Sequence, residues 1–472
     1  MSLEANVGWV GRLAVAVGST EPALRLLLSV LVGYPLAICH RHLLFGKSPS
    51  LQHIFFMLCG LSVGYFNYGL EVLHSVGCVI ILYLNLMFIG GTILSVIFSL
   101  VFFMGYLLIG YYYTGTQDYD IKWTMPHCVL TLRLIGVSYD VYDGRKEMDK
   151  LTQDQKKSAL GNIPSLLEIG GHTYFFGGFL VGPQFSMKRY LNFVSGVFAG
   201  RGKVKKPECI LPALSRLALG MVVLGVFQIG TLFIPEHYIL SSFFEHETFW
   251  KKIFIMTLWG KIVLYKYIAC WLLSEGSCIM AGLTYNGQDE QGNDLWDGCC
   301  NVKLWEYEKT SNFDGVIKSF NINTNLWVAQ YIFKRLKFLG NKLLSQAATL
   351  LFLALWHGLH SGYYVCFFNE FMVMKMEKDV SSLVDRIPTI KAVLSSGAFQ
   401  IPLYLLKKCY VLFGMSYCVA PFVLLSASRW LKVYSSLYYV CHIIYLGWPV
   451  VYFIIKKMGL VSKEVSNRSK SD

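Results

Sequence analysis

The chain has 472 residues, 54% of them hydrophobic and only 15% charged, with a formal net charge of +13. A soluble globular protein carries about 25% charged residues, so this composition excludes an ordinary soluble enzyme and points to lipid as the solvent. A nucleic-acid reader would interleave basic residues with stacking aromatics; here they flank apolar runs, at Arg201, Lys203, Lys205 and Lys206, at Lys334, Arg335 and Lys337, at Lys407 and Lys408, and at Lys456 and Lys457, as positive anchors at a cytoplasmic membrane face would.

In chain order, MSLEANVGWVGRL lacks the basic start of a secretory signal, so the first span is expected to be retained. Apolar stretches long enough to span run over 22–39, 51–70, 76–113 (room for two), 210–234, 252–273, 343–369, 389–406, 409–427 and 434–455. Residues 127–142, 164–185 and 321–333 are apolar but less clean. The expected fold is an all-α polytopic membrane protein of about ten or eleven elements, some short or tilted. No long polar linker divides the chain, so one domain is expected over 1–472, with a membrane core at 20–455 and a polar tail at 456–472. The charged stretch 143–163 reads as an amphipathic connector. Residues 285–320 form the longest loop-like region, rich in Trp, Tyr, Asn and Gly and therefore packed rather than disordered. The 13 cysteines have no CxxC pair, and Cys299–Cys300 has no second zinc-type pair, so buried free thiols are expected. No internal repeat of the kind many transporters carry is visible.

The sequence FLGNK at 338–342 puts Gly340 and Asn341 at a helix stop, so 321–339 and 342–369 should form an antiparallel hairpin. One arm opens with FNINTNLW, which packs Asn321, Asn323, Thr324 and Asn325 into an otherwise apolar element. The other contains LWHGLHSGYY, with His357 and His360. Counting from the turn, Asn321 and His357 differ by three residues, or about 4–5 Å at 1.5 Å per residue, and should lie at similar depth. Polar groups at such depth usually face a cavity and serve function. A neutral imidazole there can act as general base, which makes His357 the candidate base and Asn321 its partner. His360, on the same helical face at a spacing of three, reads either as a supporting or substrate-positioning group or as an ordinary core histidine. The chain contains no G-x-S-x-G elbow, no HExxH and no Walker A motif, and none of its 11 histidines is followed five positions on by Asp. What is left is a histidine-based mechanism with no metal.

WHGLHSGYY together with the upstream FNINTNLW resembles the signature pair of the membrane-bound O-acyltransferases, in their lysophospholipid acyltransferase branch. Supporting stretches are YYYTGTQDYDIKWTMPHCVLTLRLIG (111–136), PSLLE (164–168), LVGPQFS (180–186), LWDGCCNV (295–302) and SFNINTNLWVAQYIFKRLKFLGNK (319–342). The resemblance implies a ring of tilted helices around a central tunnel, with His357 and Asn321 as the catalytic pair in its middle. It implies transfer of a fatty acyl group, polyunsaturated by family preference, from acyl-CoA to the sn-2 hydroxyl of lysophosphatidylcholine, with the ethanolamine and serine forms also accepted. Acyl-CoA is then a substrate, no cofactor is expected, and the location is the endoplasmic reticulum membrane. His360, Asn325, Lys334, Arg335 and Lys337 are further candidate substrate-binding residues; the three basic ones could meet CoA phosphates or serve as membrane anchors. Trp296 and Asp297 are expected to pack the long loop, and His127, Gln184 and Ser186 either line the site or pack the core. Two other readings stand beside this one. The same enzyme class could use a sterol, diacylglycerol or protein acceptor, and a transporter, scramblase or receptor could line a path with these histidines.

Overall fold

The computed structural model describes residues 8–118, 120–199 and 208–458. The basic group at 201–206, the first seven residues and the tail beyond 458 lie outside the described residues. Helices of ten or more residues are α1 (Glu21–Cys39), α2 (Pro49–Tyr68), α3 (Leu73–Ile89), α4 (Ile93–Thr114), α5 (Thr124–Gly144), α6 (Ile210–Phe233), α7 (Phe249–Ala281), α8 (Ile322–Tyr331), α9 (Lys342–His357), α10 (Ser361–Arg386), α11 (Gly397–Leu424), α12 (Ala427–Ser436) and α13 (Val440–Lys457). Among the described residues there is no extended strand, only two isolated bridges in the long loop.

By length and apolarity, seven helical stretches can cross a membrane: Glu21–Leu44, Pro49–Ile89, Ile93–Thr114, Ile210–Phe233, Phe249–Ala281, Gly397–Leu424 and Val440–Lys457. That is fewer than the expected ten or eleven, for physical reasons. The Pro49–Ile89 stretch is two helices, α2 and α3, bent at Gly69 (φ 57°). The expected spans 389–406 and 409–427 fuse into α11, preceded by the short helix Pro388–Ser395. Lys408, expected as a membrane-face anchor, instead donates to the Thr310 carbonyl at 2.9 Å, inside protein contacts. Helix α5 buries 16 of its 21 residues, so its solvent is protein and it can carry Arg133, Asp140 and Asp143.

The expected span 164–185 is helical only at Leu166–Thr173. Residues 174–186 are irregular yet almost wholly buried. Irregular backbone at membrane depth needs every polar group satisfied by protein. The buried Arg133 guanidinium meets that need: it donates to the carbonyls of His172, Thr173 and Gly178 at 3.0 Å each and of Pro183 at 3.3 Å.

The apolar interior forms two large cores. One joins α1–α5 to the 169–194 segment and to Leu350, Leu353 and Trp356 of α9. The other joins α7, α10, α11, α12 and α13. Helix α7, at 33 residues about 50 Å long, packs against α1, α6 and α11. All 13 cysteines are free and most are buried, as expected.

Candidate active site

The hairpin turn forms where the sequence puts it. Gly340 closes the first arm with φ 62°. Asn341 caps α9, its Oδ1 accepting from the amides of Leu343 and Leu344 at 3.0 and 3.1 Å. Neither arm is the continuous helix expected. The first is α8 followed, after Ile332, by a 3-10 segment, Phe333–Leu339. The second stops at His357, because Gly358 adopts φ 143°, a conformation open essentially only to glycine. Helix α10 then starts afresh behind His360, which is its N-cap.

Gly362 lets α10 approach α11 closely. A Cβ there would sit 1.9 Å from the Pro421 carbonyl oxygen, and the Gly362 amide donates to the Leu425 carbonyl at 3.0 Å.

That break separates the two histidines. His357 lines a cavity of about 170 Å³, together with Asn321, Thr324, Asn325, Leu353, Cys366, Phe367 and Glu370. His360 does not line it; its ring lies 6.2 Å from that of Tyr363. The shared helical face expected for the pair is therefore corrected: they belong to different helices.

Aromatic packing holds the His357 ring. Trp356 (4.5 Å), Phe422 (4.8 Å, edge-on), Phe367 (5.5 Å, stacked) and Tyr363 (5.7 Å) surround it. Trp356 is itself pinned, its indole N–H donating to the Cys128 carbonyl at 2.8 Å while its own carbonyl accepts from the Tyr111 hydroxyl at 3.0 Å. Among the described residues, the imidazole nitrogens make no hydrogen bond to protein. Both remain available to a bound molecule.

Asn321 is built differently. It precedes α8 in the left-handed conformation (φ 51°, ψ 43°), which asparagine tolerates better than other side-chain-bearing residues. The long loop fixes it there. Val302 and Phe320 form a bridge, and the Asn301 carbonyl accepts from the Ile322 amide at 3.0 Å. The Asn301 side chain accepts from the Asn323 amide at 3.0 Å and reaches Asn321 Oδ1 at 3.5 Å. Asn323 donates to the Cys299 carbonyl at 3.0 Å, and Asn325 to the carbonyls of Ile317 and Phe320 at 2.9 and 3.0 Å. Asn325 thus lines the cavity with its amide nitrogen committed to backbone. Rings run from one polar group to the other: Phe320 to Trp271 (5.0 Å), Trp271 to Tyr267 (6.3 Å), Tyr267 to Phe422 (6.2 Å).

The basic candidates lie elsewhere. Arg335 clasps the fully buried Asp143, its Nη1 donating to Oδ1 at 2.9 Å and its Nη2 to Oδ2. Lys334 pairs with Asp154, and Lys337 is exposed. None of the three lines the cavity; Arg335 is committed to Asp143, and the two lysines lie at the surface. Trp296 packs on Tyr285 (5.5 Å) and Asp297 accepts from Asn286 at 2.9 Å, which holds the long loop together as expected. Gln184 donates to the Val129 carbonyl at 2.6 Å, Ser186 caps the 187–194 helix, and His127 is buried near Cys78; all three pack the core.

Two residues at the site escaped the sequence reading. Asn301 sits in a loop read only as packed. Glu370 falls one residue beyond the expected span 343–369. An acid inside the apolar run FFNEFMVM is the signal that could have found it.

The membrane-bound O-acyltransferase family model matches residues 108–416, which include both arms of the hairpin and most of the cavity lining. Over 456 residues the chain is 49% identical to mouse lysophospholipid acyltransferase 5, covering 96% of this chain and 93% of that one. The human protein of that name is 47% identical with the same coverage, and the Drosophila melanogaster one is 42% identical over 94% and 90%. With this identity along nearly its whole length, the chain belongs to the membrane-bound O-acyltransferase family.

Proposed function

We propose that this protein is a lysophospholipid acyltransferase that moves a fatty acyl group from acyl-CoA to the free sn-2 hydroxyl of a lysophospholipid, with His357 and Asn321 as its catalytic pair. The observation that carries this reading is that His357, with both nitrogens uncommitted, and Asn321 open into one largely apolar cavity. His357 takes the proton of the attacking hydroxyl. The new C–O bond forms at the thioester carbonyl, and the C–S bond breaks. The imidazolium returns its proton to the leaving thiolate, releasing free CoA thiol. Asn321, rigidly held, donates to the oxyanion that develops at the carbonyl. Holding both substrates in one chamber turns a two-molecule encounter into an oriented step, so no acyl-enzyme is needed. The aliphatic and aromatic walls suit acyl chains, polyunsaturated ones included.

Acyl-CoA enters this scheme as a substrate and no cofactor takes part. The proposed acceptor is lysophosphatidylcholine, then the ethanolamine and serine forms, and the proposed site of action is the endoplasmic reticulum membrane; similarity to relatives named lysophospholipid acyltransferase 5 supports the acceptor class over sterols, diacylglycerol or protein. The test is release of free thiol from acyl-CoA and lysophosphatidylcholine by purified protein. His357→Ala should fold and lose essentially all transfer. Near-normal rates in that variant, or a burst of free CoA without acceptor, would overturn the mechanism.

A further inference from the structure

The cavity holds a second ionisable group that this mechanism leaves idle. Glu370 lies on α10, one turn after Phe367, and Cys366, Phe367 and Glu370 share the face that lines the cavity. Phe367 stacks on the His357 ring, so Glu370 stands about 4.5 Å further along the helix axis than the residue touching the imidazole.

Acids elsewhere in the interior are matched. Asp143 has Arg335, Asp140 accepts from the Tyr331 hydroxyl at 2.7 Å, Glu275 has Arg216 at 3.3 Å, and Glu308 has Lys261 at 2.5 Å and Tyr265 at 3.0 Å. On α10 itself, Glu377 accepts from the Phe313 amide at 3.0 Å. Glu370 alone has neither hydrogen bond nor ion pair among the described residues. A carboxylate away from bulk water and without a partner is costly to keep. One that opens onto a substrate cavity is instead completed by what binds there.

What binds can be read from the lining. It contains no lysine or arginine, so a head group that is anionic overall finds no counter-charge and is repelled by the carboxylate, whereas a zwitterionic one brings its own cation to offset its phosphate. The surrounding surface includes Tyr267, Trp271, Phe367 and Phe422, and aromatic faces attract cations, quaternary ammonium groups above all. Carboxylate and rings together make a receptor for a cationic nitrogen. In a zwitterionic lysophospholipid that nitrogen lies several bonds beyond the sn-2 hydroxyl, in keeping with an acid about one helical turn along α10 from the ring that stacks on the base.

We infer that Glu370 sets head-group specificity, its carboxylate receiving the cationic nitrogen of a choline or ethanolamine head group while the sn-2 hydroxyl meets His357. This rests on the lysophospholipid reading above.

The test compares wild-type protein with Glu370→Gln and Glu370→Asp on lysophosphatidylcholine, lysophosphatidylethanolamine and lysophosphatidylglycerol, the last having no cation; an acceptor that is not turned over is scored as a competitive inhibitor. Glu370→Gln should lower kcat/KM about 10–100-fold for the two cationic head groups, mainly through KM, and change the glycerol form or its inhibition constant less than about threefold. The KM for acyl-CoA should hold. Glu370→Asp, which keeps the charge, should retain the preference for cationic head groups at reduced rate, and serves as the folded reference if the glutamine variant is unstable. Equal losses on every acceptor, or loss of the preference in Glu370→Asp while Glu370→Gln keeps it, overturn the assignment, as does an unchanged ratio. Wild-type protein inactive on all lysophospholipids overturns the functional reading itself, a different result from an active enzyme indifferent to Glu370.

Discussion

Asn301 offers a sharp test of how the site is built, because it touches the cavity only through Asn321. Replacing it with alanine leaves its backbone bond to the Ile322 amide intact and removes two side-chain contacts. One is the 3.0 Å bond from the Asn323 amide; the other is the 3.5 Å reach to Asn321 Oδ1. A neutral bond is worth about 1 kcal/mol net, and a donor left unsatisfied costs about 1–3 kcal/mol. The second contact is at the limit of hydrogen-bond length and adds little. The loss is therefore about 1–3 kcal/mol, concentrated at the one residue of the pair held in a left-handed conformation. If it is spent on freeing Asn321, kcat falls about 10–100-fold with KM for both substrates nearly constant. Initial rates of thiol release at saturating substrates measure this, with thermal melting of the purified protein as a fold control. An Asn301→Ala protein that melts like wild type and turns over at the wild-type rate would refute the idea that the long loop positions Asn321.

Further outcomes follow from the charged interior. Arg335→Ala should destabilise the protein by about 1–3 kcal/mol, because it removes the bidentate partner of the buried Asp143 and leaves it only Gln155 and the longer contact to Lys146, and removing both partners should recover part of the loss in thermal melts. Lys334→Ala breaks an exposed pair and should cost at most about 1 kcal/mol, with an unchanged KM for acyl-CoA; a raised KM would return Lys334 to the substrate path. Arg133→Lys keeps the charge but cannot span four carbonyls with one ammonium, so it should cost about 3–5 kcal/mol and lower the yield of folded protein; wild-type yield and melting would show that the 174–186 segment holds itself together.

Much of this was legible in the sequence, and the limits are physical. Lipid solvent follows from composition, and the Gly340–Asn341 turn from local backbone preference, which needs no partner. That Asn321 and His357 line one cavity agrees with counting residues either side of that turn, despite two breaks the count ignored, since both residues sit at helix ends. His360 was misplaced because Gly358 looks, in sequence, like any small residue in a membrane helix, and its φ of 143° shows only in the folded chain. The roles of Arg335 and Lys334 depend on Asp143 and Asp154, about 180–190 residues away in the chain, and no local pattern carries such pairings. Asn301 was hidden for the same reason, its purpose being set by a neighbour twenty positions on.

The stop at Gly358 has one more effect. It makes His357 the last residue of α9, so the imidazole stands where the peptide dipoles of sixteen residues converge with their carbonyl ends exposed. A helix C-terminus carries roughly half a negative charge and favours a cation by about 0.3–2 kcal/mol. A ring that must become positive for an instant is thereby supplied with a counter-charge from the backbone, at the ring itself, in addition to the Glu370 carboxylate across the cavity. Had the helix run on through His360, as its sequence suggests, the same imidazole would project from mid-helix, where the dipole has faded, and the passing charge would lose this backbone support.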